Sequence, residues 1–408
     1  MADTASNPIQ LFHWEGYDNN GVTHQGEWFS SSSDELQQQL RQHRIEMTTL
    51  SKRRFSKLKS VFNPVNRTDV TLIANQLATM LEAGVNIDYA IKLIEHTHNK
   101  YSVKLLLYRL HCKITAGLTL SEALREFHTC FDQFFVQMVT TGEQTGKLSE
   151  TLCLINLYRE KQQMMRAKIT KAFIYPITVL LAAVIVCYIM LTKVIPQFET
   201  MFAQFDAPLP KLTQTVIYAS AWVSAHGTHA AMIIGITVTL LGLIYRHHLA
   251  TQRRVHHYVL TLPLFGSLLL KSIVVQVART LVICTQSGLP LLSGLQLSYQ
   301  LLTNRYVAEQ LKQVESEVSA GTAIHSAMRT TQAFPEMLLQ MVMIGEESGQ
   351  LEKTLTHLIQ RYELDIEQVV DNLNQVLEPF IVIILGVIIG GLVLAMYLPL
   401  FNLLSVLG

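Results

Sequence analysis

The chain has 408 residues, 49% of them apolar, and its 32 lysines and arginines balance 31 acidic residues to a formal net charge of +1. So even a balance argues against a nucleic-acid surface, and the length leaves room for two soluble domains beside membrane segments. Five cysteines (Cys112, Cys130, Cys153, Cys187, Cys284) lie far apart with no CxxC pair, which argues against a disulfide framework or a clustered metal site.

In chain order, MADTASNPIQ has no basic start ahead of an apolar run, so no cleavable signal is expected. Leu11 to Tyr17 and Val22 to Phe29 flank the turn-prone DNNG at Asp18 to Gly21, which predicts a hairpin. Ser32 with Glu35 three residues on makes a capping box, in which hydroxyl and carboxylate each satisfy an otherwise free backbone amide. Residues 1–50 therefore read as a small ββα module. The basic SKRRFSKLKS at Ser51 to Ser60 opens a linker (51–67) that reads as solvated, with contact to anionic lipid or a partner as the rival reading.

Residues 68–171 read as a helical bundle. Leu72, Ile73, Gln76, Leu77, Met80 and Leu81 share a helical face that Gly84 would end. A short helix follows Asn86 and Asp88. Another runs from Tyr101 to Ala116 and stops at Gly117, and Thr119 with Glu122 forms a second capping box. Phe131 to Thr141 is apolar at helical spacing, and Gly142 is expected to end it with positive φ. No breaker then follows Leu148 until Pro176, so the last helix of the bundle and the first membrane span should form one rod, kinked near Pro176.

That span, 172–195, carries only Lys193 and reaches about 36 Å, enough for a hydrocarbon core of about 30 Å. A loop (196–221) leads to a second span (222–245), a basic connector (246–275) follows, and a third span (380–398) without any charge precedes a tail (399–408). Arg166, Lys168 and Lys171 precede the first span and Arg246, Arg253 and Arg254 follow the second, whereas Lys211 is the one lysine between them. The positive-inside rule then places the soluble parts in the cytoplasm and the loop and tail in the periplasm. Around the third span Asp371 and Glu378 give no positive bias, so its direction rests on an internal repeat.

The repeat is explicit. TGEQTGKL at Thr141 returns as IGEESGQL at Ile344, 203 residues on, with Phe131 on Phe334 and Tyr175-Pro176 on Glu378-Pro379. Shifted by 204, LEAGVNIDYAI at Leu81 falls on TQSGLPLLSGL at Thr285, and AGLTLSEAL at Ala116 on AGTAIHSAM at Ala320. A period this long makes each copy a domain, so a second bundle is placed at 276–379, its Gly288, Gly321, Gly345 and Gly349 answering Gly84, Gly117, Gly142 and Gly146. The fold class is an all-α integral membrane protein: two homologous cytoplasmic helical bundles of about six helices each, three transmembrane helices, and the small N-terminal module. Copies facing the same way require one return crossing between them.

These paired glycine boxes, GExxGxL and the proline opening each span (Pro176, Pro379), with PQFETMFAQFDAPLPKLTQ from Pro196 to Gln214, resemble the type II secretion F protein and type IV pilus inner-membrane platform family over nearly the whole chain. Two departures stand out: Asp132 replaces the proline kept as Pro335 in copy two, and His325 and Ser326 stand where copy one has Ser121 and Glu122. The resemblance implies a non-enzymatic scaffold of the bacterial inner membrane, without cofactor. It would couple a cytoplasmic assembly ATPase to pilin or pseudopilin subunits, beside bitopic inner-membrane assembly proteins and membrane lipid, as a homo-oligomer.

Gly142 to Lys147 looks like a phosphate loop, but three residues separate its glycines and Leu148 stands where a hydroxyl is needed, so nucleotide binding is not expected. Glu143 and Glu346 are expected to cap backbone amides at a helix corner or to meet a basic partner surface; in the second case charge reversal would leave folding nearly intact. Lys147 and Glu347 are further partner-contact candidates. The histidines of RHHLATQRRVHH, Arg246 to His257, lack i, i+4 pairs and read as an interfacial basic segment rather than a metal site. Gly386 and Gly390 let helices approach closely, within or between chains. HExxH and GxSxG are absent, and no catalytic residue is assigned. A small-solute transporter and a membrane-anchored signalling enzyme remain the rivals, the first disfavoured because the duplicated mass is soluble.

Overall fold

The computed structural model describes residues 10–18, 22–30, 32–42, 45–53, 64–202, 210–262 and 265–407. The tip of the expected DNNG turn, most of the basic linker stretch, residues 203–209 and Gly408 lie outside them. The chain forms two compact units, Met1–Glu160 and Lys161–Gly408.

The N-terminal module holds β1 (Gln10–Asp18), β2 (Thr23–Ser30), α1 (Ser33–Gln42) and β3 (Ile45–Arg53). β1 pairs antiparallel with both others, in the order β2-β1-β3. The module is therefore ββαβ rather than ββα, and its last strand takes in Ser51 to Arg53 of the expected linker. A register shift opposite Glu15 and Gly16 hides that strand in the sequence, because Ile45, Met47 and Leu50 reach the same core only by changing parity. Gly16 is needed there: a Cβ would lie 2.5 Å from the Glu46 carbonyl oxygen. Phe12 and Trp14, two apart on β1, pack on Leu36 and Leu40 of α1. The Leu36 amide donates to the Ser32 carbonyl, which sets Ser32 at the N-cap position.

The first bundle follows with α2 (Arg67–Glu82), α3 (Ile87–Thr97), α4 (Tyr101–Thr115), α5 (Leu120–Arg125), α6 (Gln133–Thr145) and α7 (Leu148–Ile189). A π-turn at Met190–Val194 leads into α8 (Ile195–Phe202), then α9 (Lys211–His247) and α10 (Leu249–Thr261). The second bundle repeats the first: α11 (Phe265–Gln286), α12 (Leu291–Leu301), α13 (Arg305–Ser319), α14 (Ile324–Thr330), α15 (Glu336–Ser348) and α16 (Leu351–Leu407).

Burial repeats with it. Val70, Ile73, Ala74 and Leu77 line the first core at helical spacing, and Val274, Val277, Ala278 and Leu281 line the second, 204 residues on. Leu120, Ala123 and Leu124 likewise answer to Ile324, Ala327 and Met328, whereas Leu152 and Ile155 answer to Leu355 and Leu358 at 203. The offset changes in the loop before α6 and α15, where a missing residue rotates no helix face. Each buried Val, Leu, Ile or Met side chain among these is worth about 1.5–3 kcal/mol, and each alanine less.

Three glycine pairs close helices with nearly identical left-handed φ: Gly84 and Gly288 at 80° and 79°, Gly117 and Gly321 at 97° and 96°, Gly146 and Gly349 at 70° and 67°. Gly142 and Gly345 are not among them. α6 and α15 run past those two residues, and their ends close when the Lys147 amide donates to the Gly142 carbonyl (2.8 Å) and the Gln350 amide to the Gly345 carbonyl (3.0 Å). The expectation that Gly142 ends its helix with positive φ is thus corrected.

Among the described residues four helices are long and apolar enough to cross a membrane: Leu148–Met201, Lys211–Arg246, Phe265–Gln286 and Glu378–Pro399. Their most apolar windows are 6%, 0%, 56% and 17% buried, respectively. The third, α11, spends its apolar surface inside the second bundle, and the other three leave theirs uncovered. Several expected boundaries move. α7 continues through Pro176, and the winding changes only at the π-turn; α9 already begins at Lys211, inside the stretch read as loop. α11 starts ahead of residue 276, and α16 runs through Pro379 and Pro399 to Leu407, so the expected tail continues the helix. The Ser220 hydroxyl donates to the Leu191 carbonyl in the π-turn, and Thr213 donates to the Ala395 carbonyl at 2.7 Å. Such hydroxyl–carbonyl bonds hold apolar helices together where lipid supplies no hydrophobic drive.

Candidate functional site

The most distinctive geometry is the corner between α6 and α7, built again between α15 and α16. At Gly142 a Cβ would meet the Thr151 hydroxyl oxygen at 2.9 Å and the Leu148 Cα at 3.1 Å; at Gly345 it would meet the Leu351 Cα at 2.8 Å and the Thr354 hydroxyl. The first glycine of each GExxG is therefore required by the close approach of the following helix. The second, Gly146 or Gly349, supplies the left-handed cap. Between them stands the glutamate.

Both carboxylates turn inward onto a neighbouring short helix. Glu143 Oε1 accepts from the Leu120 amide (2.6 Å) and Oε2 from the Ser121 amide (3.1 Å). Glu346 does the same with the Ile324 amide (2.9 Å) and the His325 amide (3.3 Å). A carboxylate there also meets the positive end of the helix dipole. The two copies then differ. In copy one Thr119 and Glu122 close the expected capping box; in copy two Ala323 offers no side-chain cap, and His325 Nδ1 instead lies 2.8 Å from Glu346 Oε2. Burial pushes the Glu346 carboxyl up, but the His325 ring and the two amides together outweigh it and hold the group below its ordinary value.

Glu143 and Glu346 thus hold backbone amides, the first of the two expected arrangements, and with these contacts charge reversal is expected to disturb folding rather than leave it nearly intact. Glu143→Ala and Glu346→Ala are each expected to destabilise their bundle by about 2 kcal/mol, the worth of a charge-assisted cap that water partly reaches. Hydrogen exchange of the peptides covering α5 and α14 should speed up in the respective variant; unchanged protection would refute the clasp. The Glu346 contribution is present above the ordinary carboxylate range and is lost as pH falls through the lowered folded value.

The other candidates are placed as follows. Lys147 pairs with Glu150 at 3.4 Å with both side chains mostly exposed, and Glu347 is exposed. A Cβ at Gly386 or Gly390 would meet nothing within 4 Å, so among the described residues no span packs on that stripe. No group of three metal-ligating side chains occurs among the described residues. Sequence reasoning missed a pair in copy one: Asp132 Oδ1 accepts from the Phe135 amide (2.9 Å) while Oδ2 accepts from Arg159 (2.8 Å), whose guanidinium lies over the Phe135 ring at 5.2 Å. Burial holds the Arg159 group below its ordinary value, and Asp132 offsets only part of that. In copy two Pro335 and Tyr362 occupy these places.

The family description "Type II secretion system (T2SS), protein F" matches residues 73–196 and 277–399, two segments related by the shift seen in both cores. The type IV pilus assembly protein TapC of Aeromonas hydrophila is 35% identical over 99% of this chain and 98% of its own length. The type IV pilus assembly protein PilC of Pseudomonas aeruginosa is 34% identical over 83% of this chain and 91% of its own. The type II secretion system protein F of Vibrio cholerae serotype O1 is 30% identical over 83% of each.

Proposed function

The chain belongs to the type II secretion system protein F family, and from that premise we propose that it is the inner-membrane platform of a type IV pilus or type II secretion assembly machine. One observation carries the reading: each bundle runs without a break into a membrane-length helix, α7 in copy one and α16 in copy two. A force applied to a bundle by a soluble motor passes along one continuous helix into the bilayer, each such helix lacking a backbone hydrogen bond at a proline, Pro176 in α7 and Pro379 in α16, with no chemistry required of this chain. The motor in this proposal is a cytoplasmic assembly ATPase, and the moved subunits are pilins or pseudopilins. The pilus alternative is favoured by the extent of the match to the Aeromonas protein.

In this reading three helices cross the membrane, the bundles face the cytoplasm and the C-terminus faces the periplasm. Lys147 and Glu347 are the outward charges offered to the motor, with Glu143 and Glu346 holding the corners beneath them. Gly386 and Gly390, open along α16, provide a seam for a second copy, since a ring-shaped motor needs a symmetric surface.

Reporters fused after Leu50 and Arg254 should read cytoplasmic, and those near Lys211 and at Gly408 periplasmic. A photocrosslinker at Lys147 or Glu347 should capture the assembly ATPase in native membranes. Surface filaments or secretion persisting unchanged after deletion of the gene would rule out the platform role, and a cytoplasmic C-terminus would rule out three crossings.

A further inference from the structure

α10 begins immediately beyond α9, after the single non-helical residue His248, and it is docked rather than free. The Arg305 amide donates to His256 Nδ1 (3.0 Å), so Nε2 carries the proton and donates to the Tyr245 hydroxyl (2.7 Å). Burial and the nearby Arg305 charge hold His256 below its ordinary value, in keeping with that neutral ring. Gln252 Nε2 donates to the Tyr245 and Arg246 carbonyls at the end of α9 (2.9 and 3.2 Å). Between α10 and α13 lies a cleft of about 630 Å³ lined by Leu249, Arg253, Arg254, Tyr258, Tyr306 and Glu309 among others. One edge of Arg253 is used by Glu309, Nε to Oε2 at 3.0 Å. Arg254 has no ion-pair partner among the described residues, and Leu249 and Tyr258 are two-thirds exposed (68% and 67%). Two guanidinium groups and the exposed Leu249 and Tyr258 side chains on the α10 wall of one cleft, beginning one residue beyond an apolar helix, combine the cationic and apolar groups that the boundary between headgroups and acyl chains calls for.

We propose that this cleft binds the phosphate of an anionic phospholipid, with Arg254 and the free edge of Arg253 on the phosphodiester and Leu249 and Tyr258 against the start of the acyl chains. The assignment rests on α9 lying in the bilayer and not on the platform role, so either reading can fail without the other. The guanidinium is suited to the task because its planar fork takes two phosphate oxygens at once. Glu309 competes for one of the two forks.

The test uses the full chain in a mild neutral detergent and the anisotropy of a phosphatidylglycerol labelled on its acyl chain. Unlabelled phosphatidylglycerol should displace the probe, whereas phosphatidylcholine and millimolar inorganic phosphate should not. Arg253→Gln with Arg254→Gln should bind about thirtyfold more weakly, and a control removing two remote charges, Arg125→Gln with Lys353→Gln, should bind as the parent does. Parent-like binding by the double arginine variant, or equal displacement by phosphatidylcholine, overturns the proposal; displacement by inorganic phosphate overturns the lipid assignment in favour of a free anion. Should the arginine variant fail to fold, Glu309→Gln decides: affinity should rise about fivefold, and an unchanged value overturns the proposal.

Discussion

Asp132→Ala is expected to destabilise the first bundle by about 3 kcal/mol, among the larger single-residue effects in the chain. The side chain performs two tasks at once, capping α6 through the Phe135 amide and neutralising Arg159, whose side chain is only 8% exposed. Its removal leaves a guanidinium out of water with the Phe135 ring as its remaining neighbour on that side. Because Asp132 is itself 48% exposed, water reaches the site and the loss stays below that of a fully sealed pair. Copy two replaces both charged residues, with Pro335 at the cap (φ −65°) and Tyr362 in the arginine's place, the Lys271 ammonium over its ring at 5.5 Å. Asp132 already has φ −72°, which proline accepts. Asp132→Pro combined with Arg159→Tyr should therefore recover most of the loss, whereas either alone should not. Thermal unfolding of the four proteins in one detergent forms the cycle; additive losses would show that the two residues are not coupled.

Gly345→Val is expected to cost about 2–4 kcal/mol, and Gly142→Val slightly less, because part of what the added carbon strikes is backbone. The Leu351 Cα and Leu148 Cα cannot rotate away as a side chain can, so α16 or α7 must lift off the preceding helix. By contrast Gly146→Ala and Gly349→Ala, which meet no neighbouring atom, should cost only about 1–2 kcal/mol of backbone strain. Shortening the partner, Thr354→Ala beside Gly345→Ala, should recover only the hydroxyl part of the loss. Lower melting temperatures for the Gly146→Ala and Gly349→Ala proteins than for the Gly142→Val and Gly345→Val proteins would reverse this assignment.

The sequence by itself determined the duplication, the helical spacing of both cores, the three uncovered apolar helices and the helix-ending glycines at Gly84, Gly117 and their counterparts in copy two, but it placed the helix-ending glycine of GExxG at Gly142 and Gly345 rather than at Gly146 and Gly349. All of these depend on neighbours within a turn or two of the helix, or on comparing the chain with itself. Tertiary structure alone decided the rest. Glu143 reads either as an amide cap or as a charge for a partner until α5, twenty-odd residues earlier in the chain, brings two amides to it, and Gly142 reads as a helix end until α7 packs against it. Phe265–Gln286 is apolar enough for a span, and only its burial within the second bundle separates it from the other three. β3 was hidden by a bulge set by its partner strand, and no local signal marks Arg159 as buried. In each case the deciding atom lies far along the chain, and residue spacing carries no information about which distant backbone group will be left without a hydrogen bond or which surface will be covered.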